Sequence, residues 1–250
     1  KNYKYNNTNN NILHKLFKKH NLNKICLNLG NSIKQKNYYL LPNVNNYTVY
    51  RCISPFKSNY LWSRVKSWKE KKNYIIYPGT ITSQEDKNQL EFCKLLDKDV
   101  VKGYTIIFSG DQSKNFYCSS TEQKIRSILK SKNISYKISP PGNNLSFFDD
   151  LLQSKFLIFY GVNPVDRVRV LTEGLYANLP FLVNDKITTI PDSYFSIGFK
   201  VTNGDSNDLN MKIKKLLQKD WGLEPYLFSY KNFQIEKISE DIIKEINQII

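Results

Sequence analysis

Glu173 and a set of glycine-closed strand ends are the residues of this chain whose types and spacing suit chemistry on an anionic ligand. Glu173 lies in VDRVRVLTEGLYANLPFLVN, residues 165–184, which reads as a helix passing into a buried strand. Val168, Leu171 and Leu175 share one face at helical spacing, Pro164 and Asp166 supply start signals, and Pro180 forbids continuation. Asn178 stands where a left-handed cap is wanted. Glu173 falls two residues off the apolar stripe, which turns its carboxylate toward a cleft. Gly79, Gly110 and Gly161 each close an apolar run of strand character, and Ser139 closes a fourth. In an open parallel sheet such exits gather on one edge, where helix N-termini offer unpaired N–H groups to phosphate. A nucleoside diphosphate is the kind of ligand that edge suits.

The elements that must position these residues alternate from Asn73 onward. NYIIYPG reads as a strand, Asp86 to Leu96 as a helix, and Thr105 to Asp111 as the next strand. A helix over Thr121 to Ser131, the strand SYKIS, a break at Pro140, Pro141 and Gly142, and a helix over Leu145 to Gln153 follow. FLIFYG leads into the Glu173 stretch, and GFKVT with a helix over Asn207 to Gln218 completes the series. Strands alternating with helices of this length predict an α/β fold with a doubly wound parallel sheet, Rossmann-like, over 73–220. Before it, 1–72 reads as a short, incomplete α/β region: a basic helix at Ile12 to Lys19, then strands at Lys24 to Gly30, Tyr38 to Pro42 and Tyr47 to Ile53. SNYLWSRVKSWKEKK then predicts an amphipathic helix burying Leu61, Val65 and Trp68. After the sheet region, 221–250 carries Ile235, Ile238, Ile242 and Ile246 at helical spacing.

With 250 residues, 40% apolar and 24% charged, the chain has a globular composition and room for a sizeable core. A net charge of +15 calls for an anionic partner or describes a lysine-rich solvated surface. The three anionic partners are nucleic acid, an anionic membrane face and a phosphorylated small molecule. No nucleic-acid-binding motif accompanies the charge, so no specific nucleic acid is expected. No apolar run approaches membrane-spanning length and no charged leader opens the sequence, which reads as cytoplasmic with peripheral contact to an anionic membrane as the alternative. Cys26, Cys52, Cys93 and Cys118 have no paired spacing and His14 and His20 sit near the start, poor material for a metal site. The histidines are conceivable bases or plain surface residues. Asp149 and Asp150 are adjacent, so on a helix they point about 100° apart, and both are read as a solvated face.

The Glu173 stretch resembles the C-terminal lobe of GT-B glycosyltransferases of the group 1 family, which transfer sugars from nucleotide-sugar donors. Glu173, Gly174, Ala177, Asn178 and Pro180 match the second half of that family's acidic pattern. Its first acid falls on Val165 here, with Asp166 one place out of register. The resemblance covers about Asn73 to Gln218. It implies that Glu173 accepts hydrogen bonds from the donor ribose, that Lys87 followed by Asn88 reaches the diphosphate, and that Gly110 and Asp111 line the cleft. The family's arginine after the first glycine is replaced by Thr80 next to Gly79, and Arg167 and Arg169 are candidate replacements. Gly161 and Gly174 complete the donor-side set. What the resemblance implies further is a metal-independent transfer without cofactor, a retaining outcome, a glycan, lipid-linked or small-molecule acceptor, and a terminal helix crossing back to the N-terminal region. The residue acting as acid or base is not identified by it. Three rivals stand beside this reading: a non-catalytic GT-B-like module, a nucleotide-sugar epimerase on the same two-lobe plan, and, third, a basic nucleic-acid binder, which would show salt-sensitive binding to oligonucleotides.

Overall fold

The structure, a computed structural model, describes residues 25–28, 45–48, 60–83, 87–110, 117–139, 144–162, 169–188, 190 and 192–233. By contact the chain divides into residues 52–233 and a second unit of 1–51 with 234–250. In the second unit, β1 (Ile25–Asn28) pairs in parallel with β2 (Asn45–Thr48). The predicted strand at Lys24 to Gly30 forms over its middle, and β2 starts two residues before the predicted Tyr47. The predicted elements at Ile12 to Lys19 and Tyr38 to Pro42, and the isoleucine ladder from Ile235, lie outside the described residues.

Residues 52–233 hold a six-stranded, all-parallel sheet. Its elements, in chain order, are β3 (Tyr74–Pro78), α1 (Gln89–Leu95), β4 (Thr105–Ser109), α2 (Ser119–Ser131), β5 (Ser135–Ile138) and α3 (Asn144–Gln153). Then come β6 (Phe156–Phe159), α4 (Arg169–Tyr176), β7 (Phe181–Asn184), β8 (Gly198–Val201), α5 (Ser206–Gln218) and α6 (Glu224–Phe233). The strand order is β5-β4-β3-β6-β7-β8. Every residue of β6 and β7 is buried, as the continuous apolar runs FLIF and FLVN require of strands covered on both faces. Helix α3 packs on β3 and β4, α4 on β6, and α5 on β7 and β8. Gly174 lets α4 approach closely, since a Cβ there would meet Leu157 Cδ1 at 2.9 Å. The alternation read from the sequence is thus the α/β architecture found, with one omission: a 3-10 turn over Asp192–Ser196, which buries Tyr194 before β8.

The amphipathic helix predicted over Ser58 to Lys72 is corrected. Among the described residues of that stretch, 60–62 are helical and are followed by a turn and then by a 3-10 turn at Trp68–Glu70. The physical reason is that this stretch gives its polar groups to a local turn and to other elements. The Glu70 carboxylate accepts from Ser67 N at 2.8 Å and from Ser67 Oγ at 2.6 Å, Trp68 N donates to Gly222 O, and Trp68 Nε1 donates to Lys155 O. Lys71 is 5% exposed, and its amine donates to Leu152 O at 3.3 Å and Ala177 O at 2.7 Å, at the C-terminal ends of α3 and α4. Burial, with Lys66 nearby, lowers its pKa well below the usual lysine value.

Asn178 is the left-handed cap expected, with φ +62°. Its buried side chain donates to Lys66 O at 2.9 Å and Gly222 O at 2.8 Å and accepts from Tyr226 N at 3.2 Å. One residue therefore closes α4 and ties down the segments before the sheet and before α6. No helix among the described residues is long and apolar enough to cross a membrane.

Candidate functional site

Strands β3 and β6 are neighbours, yet the chain leaves β3 toward β4 and β5 and leaves β6 toward β7 and β8. This is the topological switch point, where the exits of an open sheet diverge and leave a crevice. The exit of β3 is Gly79, at φ +112°, a conformation that glycine adopts freely, and among the described residues beyond its chain neighbours no atom lies within 4 Å of where its Cβ would be. The exit of β6 is Tyr160 and Gly161, both buried.

Tyr77 joins the two exits. Its hydroxyl donates to the Lys87 carbonyl and accepts from Tyr160 N at 3.1 Å, and its ring stacks on Phe108 with centroids 5.7 Å apart. The loop after β3 is thereby carried to the end of β6. The Lys87 ammonium lies 5.0 Å from the centroid of the Phe159 ring, the last residue of β6. The cation thus lies over an aromatic face at the switch point. Gln89, 2% exposed, fixes the same loop by donating to Thr80 O at 3.0 Å. Across the edge, Tyr160 Oη accepts from Gly204 N at 2.8 Å, and Asn184 Nδ2 donates to Asn203 Oδ1 at 2.8 Å, which links the exits of β6, β7 and β8.

Beside the switch point a cleft of about 770 Å³ opens on this edge. Thr82 and Ser83 follow β3, Thr121 and Lys124 belong to α2, Val162 follows β6 and Lys186 follows β7. Lys94 also reaches it, paired with Glu91 at 3.1 Å. Its rim is therefore cationic. Cys118, at the N-terminal cap of α2, is in hydrogen-bond contact with Ser120 Oγ at 3.2 Å and Thr121 Oγ1 at 3.3 Å. These hydroxyls lower its thiol pKa to about 7. Alkylation of Cys118, followed by peptide mass spectrometry, is expected to reach half its maximal rate near pH 7, while buried Cys93, raised by desolvation, stays unreacted. A Cys118 midpoint in the ordinary thiol range near pH 8.5 would contradict this.

The residues read from the sequence are distributed as follows. Gly79, Thr80, Lys87 and Gly161 come together at the switch point. Glu173 sits in the middle of α4, is 2% exposed and has an interaction partner within the protein. Gly110 is spent on packing, because a Cβ there would lie 2.7 Å from Gly79 Cα, and Gly174 is spent on the α4 contact with β6. Arg169 opens the described part of α4, and Asp111, Asp166 and Arg167 lie outside the described residues. The reading of Asp149 and Asp150 as one solvated face is corrected. Asp149 is exposed and accepts from Tyr60 Oη at 2.8 Å, whereas Asp150 is buried and accepts from Ser109 Oγ at 2.6 Å and Ser139 Oγ at 2.8 Å. The 100° between neighbours is what separates them: one points to solvent and the other under the sheet edge. Tyr77, Tyr160 and Asp150 were missed because a tyrosine in an apolar run reads as core and an acid in a helix reads as surface.

Several solved structures share this architecture. A glycosyltransferase from Rickettsia africae matches at a TM-score of 0.57 and 14% identity, over 100% of this chain and 83% of that one. WaaG, a glycosyltransferase involved in lipopolysaccharide biosynthesis, matches at 0.54 and 14%, over 87% of this chain and 62% of WaaG. HepE of Anabaena, solved with UDP and glucose, matches at 0.52 and 11%, over 78% of this chain and 53% of HepE. The chain thus has the fold of GT-B glycosyltransferases, while spanning under two thirds of the length of WaaG and HepE. No protein-family model matches the sequence, and no curated protein does.

Proposed function

We propose that residues 52–233 bind a nucleotide-diphosphate-sugar and that the protein is a glycosyltransferase passing the sugar to a glycan, lipid-linked or small-molecule acceptor. The observation that carries this is Lys87, whose ammonium is held over Phe159 where β3 and β6 diverge beside the open backbone of Gly79. The likeness to HepE, solved with UDP and glucose, supports the choice of ligand. In this reading Lys87 and helix N-terminal amides take the diphosphate and Glu173 takes the ribose hydroxyls. Asp111, Asp166, Arg167 and Arg169 are further donor-side residues that the family resemblance implies. Nucleotide binding would place the sugar's anomeric carbon at the edge of the sheet, and the departing diphosphate would be stabilised by fixed positive charge.

A second reading, a non-catalytic nucleotide-binding module, is favoured by Thr80 and Val165, which stand where the resembling family has an arginine and an acid. Calorimetric titration with UDP, GDP, ADP and their sugar conjugates tests both. One diphosphate is expected to bind saturably, and Glu173→Gln to weaken it about 10- to 100-fold, the worth of a hydrogen bond to a charged group. Failure of every nucleotide to bind would sink the proposal. Binding without turnover over a panel of acceptors would select the module, and conversion of the donor with no acceptor present would select an epimerase.

A further inference from the structure

Asp150 performs no task in the reading above, yet it is a buried carboxylate, 7% exposed, placed directly beneath the ligand-facing edge. Its Oδ2 accepts from Ser109 Oγ at 2.6 Å and from Ser139 Oγ at 2.8 Å, and its Oδ1 accepts from Lys137 Nζ at 3.3 Å. Ser109 is the last residue of β4, and Ser139 is the first residue after β5. One oxygen atom on α3 thus holds the ends of two neighbouring strands.

The hold extends to a third strand. Gly79 N donates to Ser109 O at 2.9 Å, and Gly110 has no side chain because the Gly79 backbone occupies that space, 2.7 Å from where a Cβ would be. The turn that opens the switch point therefore rests on the end of β4, and the end of β4 is fixed by Asp150. Ser139 N is in turn bonded to Phe108 O at 2.9 Å, so the exits of β4 and β5 are locked by both backbone and side chain. Placing a carboxylate out of water is costly, and two short hydroxyl bonds to one oxygen with the Lys137 ammonium on the other compensate it. An apolar residue would fill the same volume without fixing the angle of any strand end.

We infer that Asp150 is a positioning residue: it sets the spacing of the β3, β4 and β5 exits and so the fit of the nucleotide between them. The ligand in this statement rests on the proposed function; the clamp itself does not. Asp150→Ala removes the acceptor from both serines. Asp150→Asn keeps a carbonyl oxygen able to accept from both while losing the bond to Lys137, and serves as the conservative variant. Leu216→Ala, in the buried core of α5 and remote from the edge, supplies a destabilised control.

The first measurement is hydrogen exchange in the absence of ligand, followed at the amides of Gly79 and Ser139. Asp150→Ala is expected to speed exchange at these two amides by about tenfold or more, as the opening of a local unit does, with Asp150→Asn near wild type and Leu216→Ala raising exchange without preference for them. Equal protection of the two amides in wild type and Asp150→Ala would overturn the clamp. The second measurement is the Kd for whichever nucleoside diphosphate wild type binds, taken where all variants are folded. A rise of about tenfold in Asp150→Ala, restored in Asp150→Asn and absent in Leu216→Ala, is expected, because small misplacements at a binding site are expensive. An unchanged Kd in Asp150→Ala would overturn the positioning role. If wild type binds no nucleotide, the proposed function fails, and the exchange result decides the clamp by itself.

Discussion

Asn178→Ala is expected to remove about 3–5 kcal/mol of folding free energy, a large effect for a residue outside any helix or strand. Two losses add. Alanine at φ +62° carries the strain of a left-handed backbone, of order 1 kcal/mol relative to asparagine or glycine. The second loss is three hydrogen bonds, which leaves Lys66 O, Gly222 O and Tyr226 N without the partner that Asn178 supplies. Each such bond contributes about 1 kcal/mol net, and more where the orphaned group stays buried. Asn178→Gly relieves the backbone but not the side chain, so it should fall between alanine and wild type. Urea unfolding measures the effect as a lower midpoint with an unchanged slope. A loss below about 1 kcal/mol would mean that water replaces the side chain and that the three segments are held elsewhere.

Lys87→Ala is expected to weaken nucleoside diphosphate binding about 10- to 100-fold while leaving the melting temperature within a degree or two of wild type. The two outcomes separate because the two parts of Lys87 do different things. Its carbonyl, which Tyr77 holds, survives the substitution, so the loop should keep its place. Its ammonium, over the Phe159 ring, is lost, and with it the charge at the switch point. Because this charge is partly exposed, the gap between wild type and variant should narrow as salt rises. Lys98→Ala, away from the edge, is the control. Equal affinity in wild type and Lys87→Ala would move the diphosphate to the neighbouring cleft, where Lys124 and Lys186 become the residues to replace.

The order of elements was legible because it is written in period and punctuation. FLIF and FLVN are continuous apolar runs, Pro180 stops α4, and Asn178 takes the left-handed position that its small amide tolerates. The edge on which a ligand would sit followed from parallel strands ending in glycine. Distant partners were not legible. The stretch 58–72 has the apolar spacing of a helix, yet Trp68, Glu70 and Lys71 use their hydrogen bonds on a turn and on other elements, and no local pattern announces that. Gly110 looked like a place for a ligand and serves a contact with Gly79 from the adjoining strand. Asp150 and Asp149 differ only in which way a helix turns, so a reading of residue types assigned both to solvent. What sequence reasoning did not show are contacts whose partners belong to another element.

Lys71 has a mechanical consequence. Its amine reaches the trailing ends of α3 and α4, the helices that carry Asp150 and Glu173. A neutral amine still has two hydrogens to give, and two carbonyls receive them, so the pin holds in the form that burial favours. Arginine, always charged and planar, is no substitute. With their tails bonded to one amine, the two helices share a fixed point.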